Sequence, residues 1–274
     1  MDSFASSIIC LTIMLIANVF HGGRIYLAFN AILLLFISQT TWAQKRDSTL
    51  YFKSALSVTQ NGFSFIPSFS LGKPAAILDL AIGNKRLSFE PQFRYALEGK
   101  PWSFIFIYRY KVIDRSKFQL LVGGHIPAIV FATRTATING VTRDVSVSQR
   151  FLAAELAPTY LLSKNLSTGF YLLRGHGFQQ DGVQDSYFIG YRVNFNNVKL
   201  TDLFFMRFNP QLYYLKTDDL DGYYVTYTLT LAMKDFPLSI SHIANKTIKS
   251  DIPAKDFDWN VSLIYSFDKN YIRK

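Results

Sequence analysis

Residues 259–267 read WNVSLIYSF. Successive side chains of a strand point to opposite faces. Trp259, Val261, Leu263, Tyr265 and Phe267 therefore share one face, and Asn260, Ser262, Ile264 and Ser266 the other. The same period of two recurs upstream. Residues 86–95 set Leu87, Phe89, Pro91, Phe93 and Tyr95 against Arg86, Ser88, Glu90, Gln92 and Arg94. Residues 204–214 set Phe204, Met206, Phe208, Pro210, Leu212 and Tyr214 against Phe205, Arg207, Asn209, Gln211 and Tyr213. Residues 223–233, 187–195 and 63–71 follow the same rule, and no amphipathic helix pattern interrupts them. Such one-sided strands either pack an apolar core or turn their apolar side outward to lipid.

Composition narrows the choice. The chain has 274 residues, 49% of them hydrophobic and 16% aromatic, with 25 Phe and 16 Tyr. Aromatic side chains favour strands. The formal charge of +10 is spread along the chain without a Lys/Arg-rich run, so a nucleic-acid footprint is not indicated. Residues 1–43 differ from the rest, with Asp2 and Arg24 their only charges. The apolar run 25–37 follows Arg24 and leads to Thr41-Trp42-Ala43, the layout of a secretory signal peptide. The earlier run, 8–20, has only Asp2 on its flank, and a start at Met14 is an alternative. Each run falls short of the ~20 residues of a spanning helix. Cys10, the single cysteine, lies in this segment, which leaves the expected mature chain without a thiol or a disulfide.

The connections alternate. Residues 83–85, 113–116, 163–166, 196–199 and 234–235 read as short polar turns. Between them lie 72–74, 98–100, 133–145, 179–184, 216–221 and 244–258, the last four longer. Asn139-Gly140 within 133–145 is a type I′ hairpin signal, which predicts a ribbon that runs past the rim of a barrel. The count is about twelve strands, with ten to fourteen allowed by boundary slippage. Twelve strands enclose more volume than side chains readily fill with hydrocarbon. Turning the polar face inward resolves this, and it spares Arg94, Arg192 and Arg207 the roughly 2–4 kcal/mol that each would cost at mid-membrane on the lipid face. Trp102, Tyr187, Tyr223 and Trp259 near strand starts, with Phe267 at the last strand's end, are expected to form the interfacial aromatic girdles.

The export signal, the one-faced aromatic strands, the alternation of short turns and long loops, and a last strand closing on Phe267 resemble Gram-negative outer-membrane β-barrel proteins. The resemblance is architectural and covers roughly 63–267. It implies a cell outer membrane location, contact with outer-membrane lipid and an all-β antiparallel transmembrane barrel. In that family an aromatic residue commonly ends the chain, whereas residues 268–274 follow here. The expected organisation is a signal peptide at 1–43, a periplasmic lead-in at 44–62 with a short strand at 50–58, the barrel at 63–268 and a tail at 269–274.

Candidate chemistry is sparse. Lipid-modifying barrel hydrolases carry a His followed closely by Ser and Asn. The nearest match, Ser241-His242-Ile243-Ala244-Asn245, has Ala244 at the nucleophile position, and acyl transfer by this route needs a hydroxyl. His125 and His176, with Glu155 or Asp79, lack close metal-ligand spacing, and no metal or other cofactor is expected. Asp218, Asp219 and Asp221, and Asp181 with Asp185, read as solvated loop acids. The lumen charges form the better constellation: Arg86, Arg94, Arg109, Lys111, Arg174, Arg192 and Arg207 against Asp79, Glu90 and Glu155. Seven bases facing three acids predict a wall that favours anions. The expected function is a passive or weakly anion-selective pore for small solutes. The alternative is a closed barrel whose loops at 133–145 and 244–258 contact a protein partner, with a lipid hydrolase behind both.

Overall fold

The protein is described here by a computed structural model that covers residues 49–138, 141–180 and 182–272. The reading of residues 1–43 as a signal peptide, and those resting on Cys10, Asn139-Gly140 and Asp181, fall outside the described residues. Twelve strands follow one another: β1 (Thr49–Thr59), β2 (Ala75–Gly83), β3 (Leu87–Ala96), β4 (Pro101–Asp114), β5 (Phe118–Ile138), β6 (Val141–Leu161), β7 (Leu166–Gly177), β8 (Asp185–Lys199), β9 (Phe204–Thr217), β10 (Leu220–Met233), β11 (Leu238–Ser250) and β12 (Phe257–Ile272). Each pairs antiparallel with its neighbour in sequence, and β1 pairs with β12, so the sheet closes on itself. Closure removes the free sheet edges that would otherwise invite pairing with other chains.

Register fixes which face looks inward. Leu56 pairs with Tyr265 and with Leu78, and Leu212 pairs with Val225 and with Tyr191. These residues belong to the apolar face, and it is exposed: Leu212 keeps 51% of its surface, and Leu56, Val58, Tyr223, Leu231, Leu263, Tyr265 and Phe267 are similarly open. The opposite face carries the polar residues and encloses the lumen. A soluble barrel would show the reverse, with its large apolar side chains turned in and buried.

Several boundaries move. The barrel begins at Thr49, inside the expected lead-in, because β1 is the strand that closes onto β12. β12 in turn runs to Ile272, so most of the expected tail is strand. Residues 63–71, expected as a strand, are not one. They form an irregular segment around a single 3₁₀ turn at Pro67–Phe69. Pro67 lacks the N–H that a central strand would donate. The expected turn at 196–199 lies within β8, which continues through a bulge between Phe195 and Val198 that puts Asn197 at φ 51°. The connection expected at 216–221 tightens to Asp218-Asp219, and β11 extends to Ser250. The ribbon is present: residues 131–138 of β5 pair only with β6 among the described residues, beyond the last β4 partner, Val130.

Candidate functional site

The barrel has two unlike ends. Thr49 and Ile272 lie at one, with the short connections 84–86, 115–117, 162–165, 200–203 and 234–237. The other bears the β1–β2 segment (60–74), the ribbon and the connections 178–184 and 251–256. The lumen between them divides into three layers.

At the loop end the lumen is filled by apolar side chains. The β1–β2 segment folds inward, where Phe65 and Ile66 pack against Phe188, Tyr213, Leu215 and Tyr224, together with Ile252 from the β11–β12 connection. Phe65 meets the Tyr213 ring edge-on at 5.7 Å. Phe69 lies 4.9 Å from Phe151, in a second cluster with Ala128 and Val130. The wall beneath Phe65 is a stack across three strands, Phe188 on Tyr213 and Tyr213 on Tyr224, each at 4.8 Å. The phenols at its edge are satisfied, Tyr213 donating to Asn245 at 2.9 Å and Tyr224 sharing a hydrogen bond with Ser250 at 2.6 Å. Trp102 belongs to this layer as well. It is 2% exposed, and its Nε1 donates to the Phe69 carbonyl at 2.8 Å. It therefore does not join the outer girdle. The bulge between Arg94 and Tyr95, where β3 meets β4, sets Trp102 beside Ser103 under the folded segment. The expected girdle residues Tyr187, Tyr223, Trp259 and Phe267 do lie on the outward face, as the register requires.

The middle layer is a charge network across β3 to β8. Glu155, whose side chain has 0% exposure, receives Arg109 Nε at 2.5 Å and Nη2 at 3.2 Å. Tyr171 donates to the same carboxylate at 2.7 Å, and His125 Nε2 lies 3.3 Å from it. The remaining guanidinium nitrogen of Arg109 reaches Glu90, which also accepts from Ser88 at 2.6 Å. Gly123 makes room for this arrangement, since a Cβ there would stand 2.6 Å from Glu155 Oε1 and 2.6 Å from the Tyr108 carbonyl. Arg192 covers the Tyr171 ring at 5.4 Å. Arg94 covers Trp102 at 5.1 Å and donates to Gln92 at 2.9 Å. Asp79 faces the same interior. A buried carboxylate needs this density of partners to offset its desolvation.

At the terminus end the lumen opens into a cavity of about 570 Å³. Lys53, Lys85, Arg86, Arg109 and Lys111 line it, against Glu90 and Asp268. Arg207 faces the lumen from β9 and is exposed there. Asn194, Asn209, Thr230 and Ser241 add uncharged polar wall, through bonds such as Asn209 to Asn194 at 3.0 Å.

The structure thus brings Arg86, Arg94, Arg109, Lys111, Arg192 and Arg207 to the inner wall or its mouth, with Asp79, Glu90 and Glu155. Arg174 is the exception. It pairs in register with Tyr187 and Ala154, both outward, and it stacks on Tyr187 at 4.9 Å and meets Asp185 at 3.7 Å. Leu172 and Leu173 are apolar on both faces of β7, so alternation alone gives no parity there. His176 faces outward beside Arg174, 3.3 Å from Asp185. His242 also faces outward, near Tyr227 and Trp259, while Ser241 turns to the lumen and pairs with Thr230. No hydrogen bond joins His242 to a hydroxyl among the described residues. No group of three or more His, Cys, Asp or Glu side chains is arranged to hold a metal ion among them either. The inward apolar layer was missed from sequence. Its one signal was Pro67 in the middle of an otherwise alternating run bounded by Gly62 and Gly72.

No protein-family model matches the sequence, and no curated protein matches it. Solved structures with a similar chain path do exist. The KdgM porin in complex with disordered oligogalacturonate superposes with a TM-score of 0.48 at 11% identity, over 79% of this chain and 99% of that one. The COG4313 outer membrane channel from Pseudomonas putida F1 gives 0.47 at 9%, over 83% and 98%. LpxR from Salmonella typhimurium gives 0.42 at 10%, over 78% and 99%. At such scores the likeness carries no argument of its own, and the strand pairing and the exposed apolar face decide the fold. The fold is that of a membrane β-barrel. Its closed sheet satisfies every strand within the wall, as a bilayer demands, and its outward side chains suit hydrocarbon.

Proposed function

We propose that the chain is an outer-membrane β-barrel that forms an anion-favouring pore, constricted at its loop end by the β1–β2 segment. The observation that carries this reading is the mouth at the terminus end, where five cationic side chains line one cavity against two carboxylates. Lys85 and Arg86 have no acidic partner there among the described residues. Rings of Lys and Arg favour anions by raising their local concentration and lowering their entry barrier. Arg192 in the middle layer and Arg207 at the terminus end continue the cationic wall, whereas Arg109 is neutralised by Glu90 and Glu155. The first two and the mouth residues, rather than Arg109, would set selectivity.

The inward segment also supports a second reading, in which the barrel is closed and works through its loop end, where the ribbon of β5 and β6 would meet a protein partner. The two readings part on conductance. Protein reconstituted in a planar bilayer under a salt gradient is expected to conduct with a reversal potential that favours anions. A variant with residues 63–71 replaced by a Gly/Ser linker is expected to conduct more. If both forms insert as folded barrels and neither conducts, the pore reading is wrong and the closed barrel stands.

A further inference from the structure

The outward face carries a feature that the pore does not use. Near the loop end, cationic residues border the apolar belt on alternate strands, β7, β9 and β11. Arg174 of β7, Tyr187 of β8, Lys216 of β9 and Asp221 of β10 are direct neighbours in one row across the sheet. On β11, Lys249 pairs with Tyr223 and Lys246 with Val225, in the two outward rows below that of Asp221. The same two rows hold apolar and aromatic outward residues: Ile189, Tyr214 and Tyr223 in one, Tyr191, Leu212 and Val225 in the next.

A cation on the outward face of a membrane strand is costly at mid-bilayer and close to neutral at the interface. Arg174 and Lys216 sit in the row nearest the loop end, where the headgroups would begin, and Lys249 and Lys246 step down from it on β11 beside the aromatic girdle. Arg174 is preorganised there, stacked on Tyr187 at 4.9 Å and held by Asp185 at 3.7 Å. Asp221 is engaged by the Tyr214 hydroxyl at 3.1 Å. The ammonium groups of Lys216, Lys246 and Lys249 meet no carboxylate within ion-pair distance among the described residues, so their charge is available to an outside partner.

We propose that Arg174, Lys216, Lys246 and Lys249 form a collar that binds the phosphate-bearing headgroup of an anionic membrane lipid, with Tyr214 and Tyr223 against its upper acyl carbons. A free phosphate ion would use the cations but not the aromatic shelf beside them, and it is the juxtaposition of the two that selects lipid. The proposal rests on the barrel lying in a membrane and is independent of whether it conducts.

The test is lipid retention by the purified full chain. Protein in mixed micelles is offered a phosphorylated glycolipid and phosphatidylcholine in equal amounts, and the bound lipid is counted by native mass spectrometry. Wild type is expected to retain the anionic lipid in preference. Lys216→Gln/Lys246→Gln/Lys249→Gln is expected to lose that preference by roughly 10-fold or more, since each base near a membrane surface contributes about fivefold. The control Lys164→Gln/Lys199→Gln/Lys234→Gln, at the terminus end, is expected to keep it. Folding of each variant is read separately from its heat-dependent gel mobility. Equal retention of the two lipids by wild type, or an equal loss in both triple variants, would overturn the proposal. Displacement of the lipid by equimolar inorganic phosphate would also overturn it, by making the collar a free-anion site.

Discussion

Glu155 concentrates the lumen's electrostatics on one side chain. It has no exposed side-chain surface, and it is held by Arg109, Tyr171 and His125. Removing one partner of such a pair leaves a buried charge uncompensated, at a cost of roughly 3–5 kcal/mol. Arg109→Met is therefore expected to lower the urea midpoint of the lipid-embedded barrel markedly. Glu155→Gln should lower it less, because Arg109 keeps Glu90 and the amide still accepts from Tyr171. Equal midpoints for Arg109→Met and wild type would show that the network contributes nothing to the fold. Glu155, Arg109 and Glu90 were legible in the sequence as inward charges, as were Arg94 and Arg192, whereas Tyr171 was not singled out. Their pairing was not legible, because it depends on the register of β4, β5 and β6, which no single strand encodes. Arg174 shows the limit. Tyr171-Leu172-Leu173 gives no polar alternate from which its side could be read, and only pairing with β6 and β8 turns it outward.

At the scale of elements, β9 and β10 were readable residue by residue, and the β1–β2 segment was not. A run such as Phe63-Ser64-Phe65 fits period two as well as any strand does. Pro67 has no N–H to give to a ladder, and the edge of β12 is already taken by β1. The segment is instead held by what it buries. Phe65, Ile66 and Phe69 are part-buried in the lumen, and each would contribute about 1–2 kcal/mol to docking. The Trp102 hydrogen bond to the Phe69 carbonyl adds roughly 1 kcal/mol. Phe65→Ala/Phe69→Ala is expected to free the segment while the barrel stays closed, since no strand pairing involves it. Limited proteolysis should then cut within 62–72 at least several times faster than in wild type, with the heat-dependent gel mobility of the barrel unchanged. Unchanged protection would mean that the segment is anchored by its base, through Gly62 with Leu71 and Lys73, and that its aromatic contacts are incidental.

The whole molecule is organised by one inversion, apolar outside and polar inside. Neighbouring positions on β9 test it. Leu212 faces outward at mid-strand and Gln211 faces the lumen. Leu212→Arg is expected to cost roughly 2–4 kcal/mol in a bilayer, and Gln211→Arg much less, read as the difference in unfolding midpoints in lipid vesicles. Equal costs would contradict the assignment of faces. The same inversion gathers the cationic mouth on which the proposed pore depends, and that reading has a direct test. Single-channel current across a planar bilayer under a salt gradient should reverse at a potential favouring anions, and Lys85→Glu/Arg86→Glu should shift the reversal toward cations. A folded, inserted barrel that stays silent even with residues 63–71 replaced by a flexible linker, or one whose selectivity ignores the mouth charges, would contradict the account.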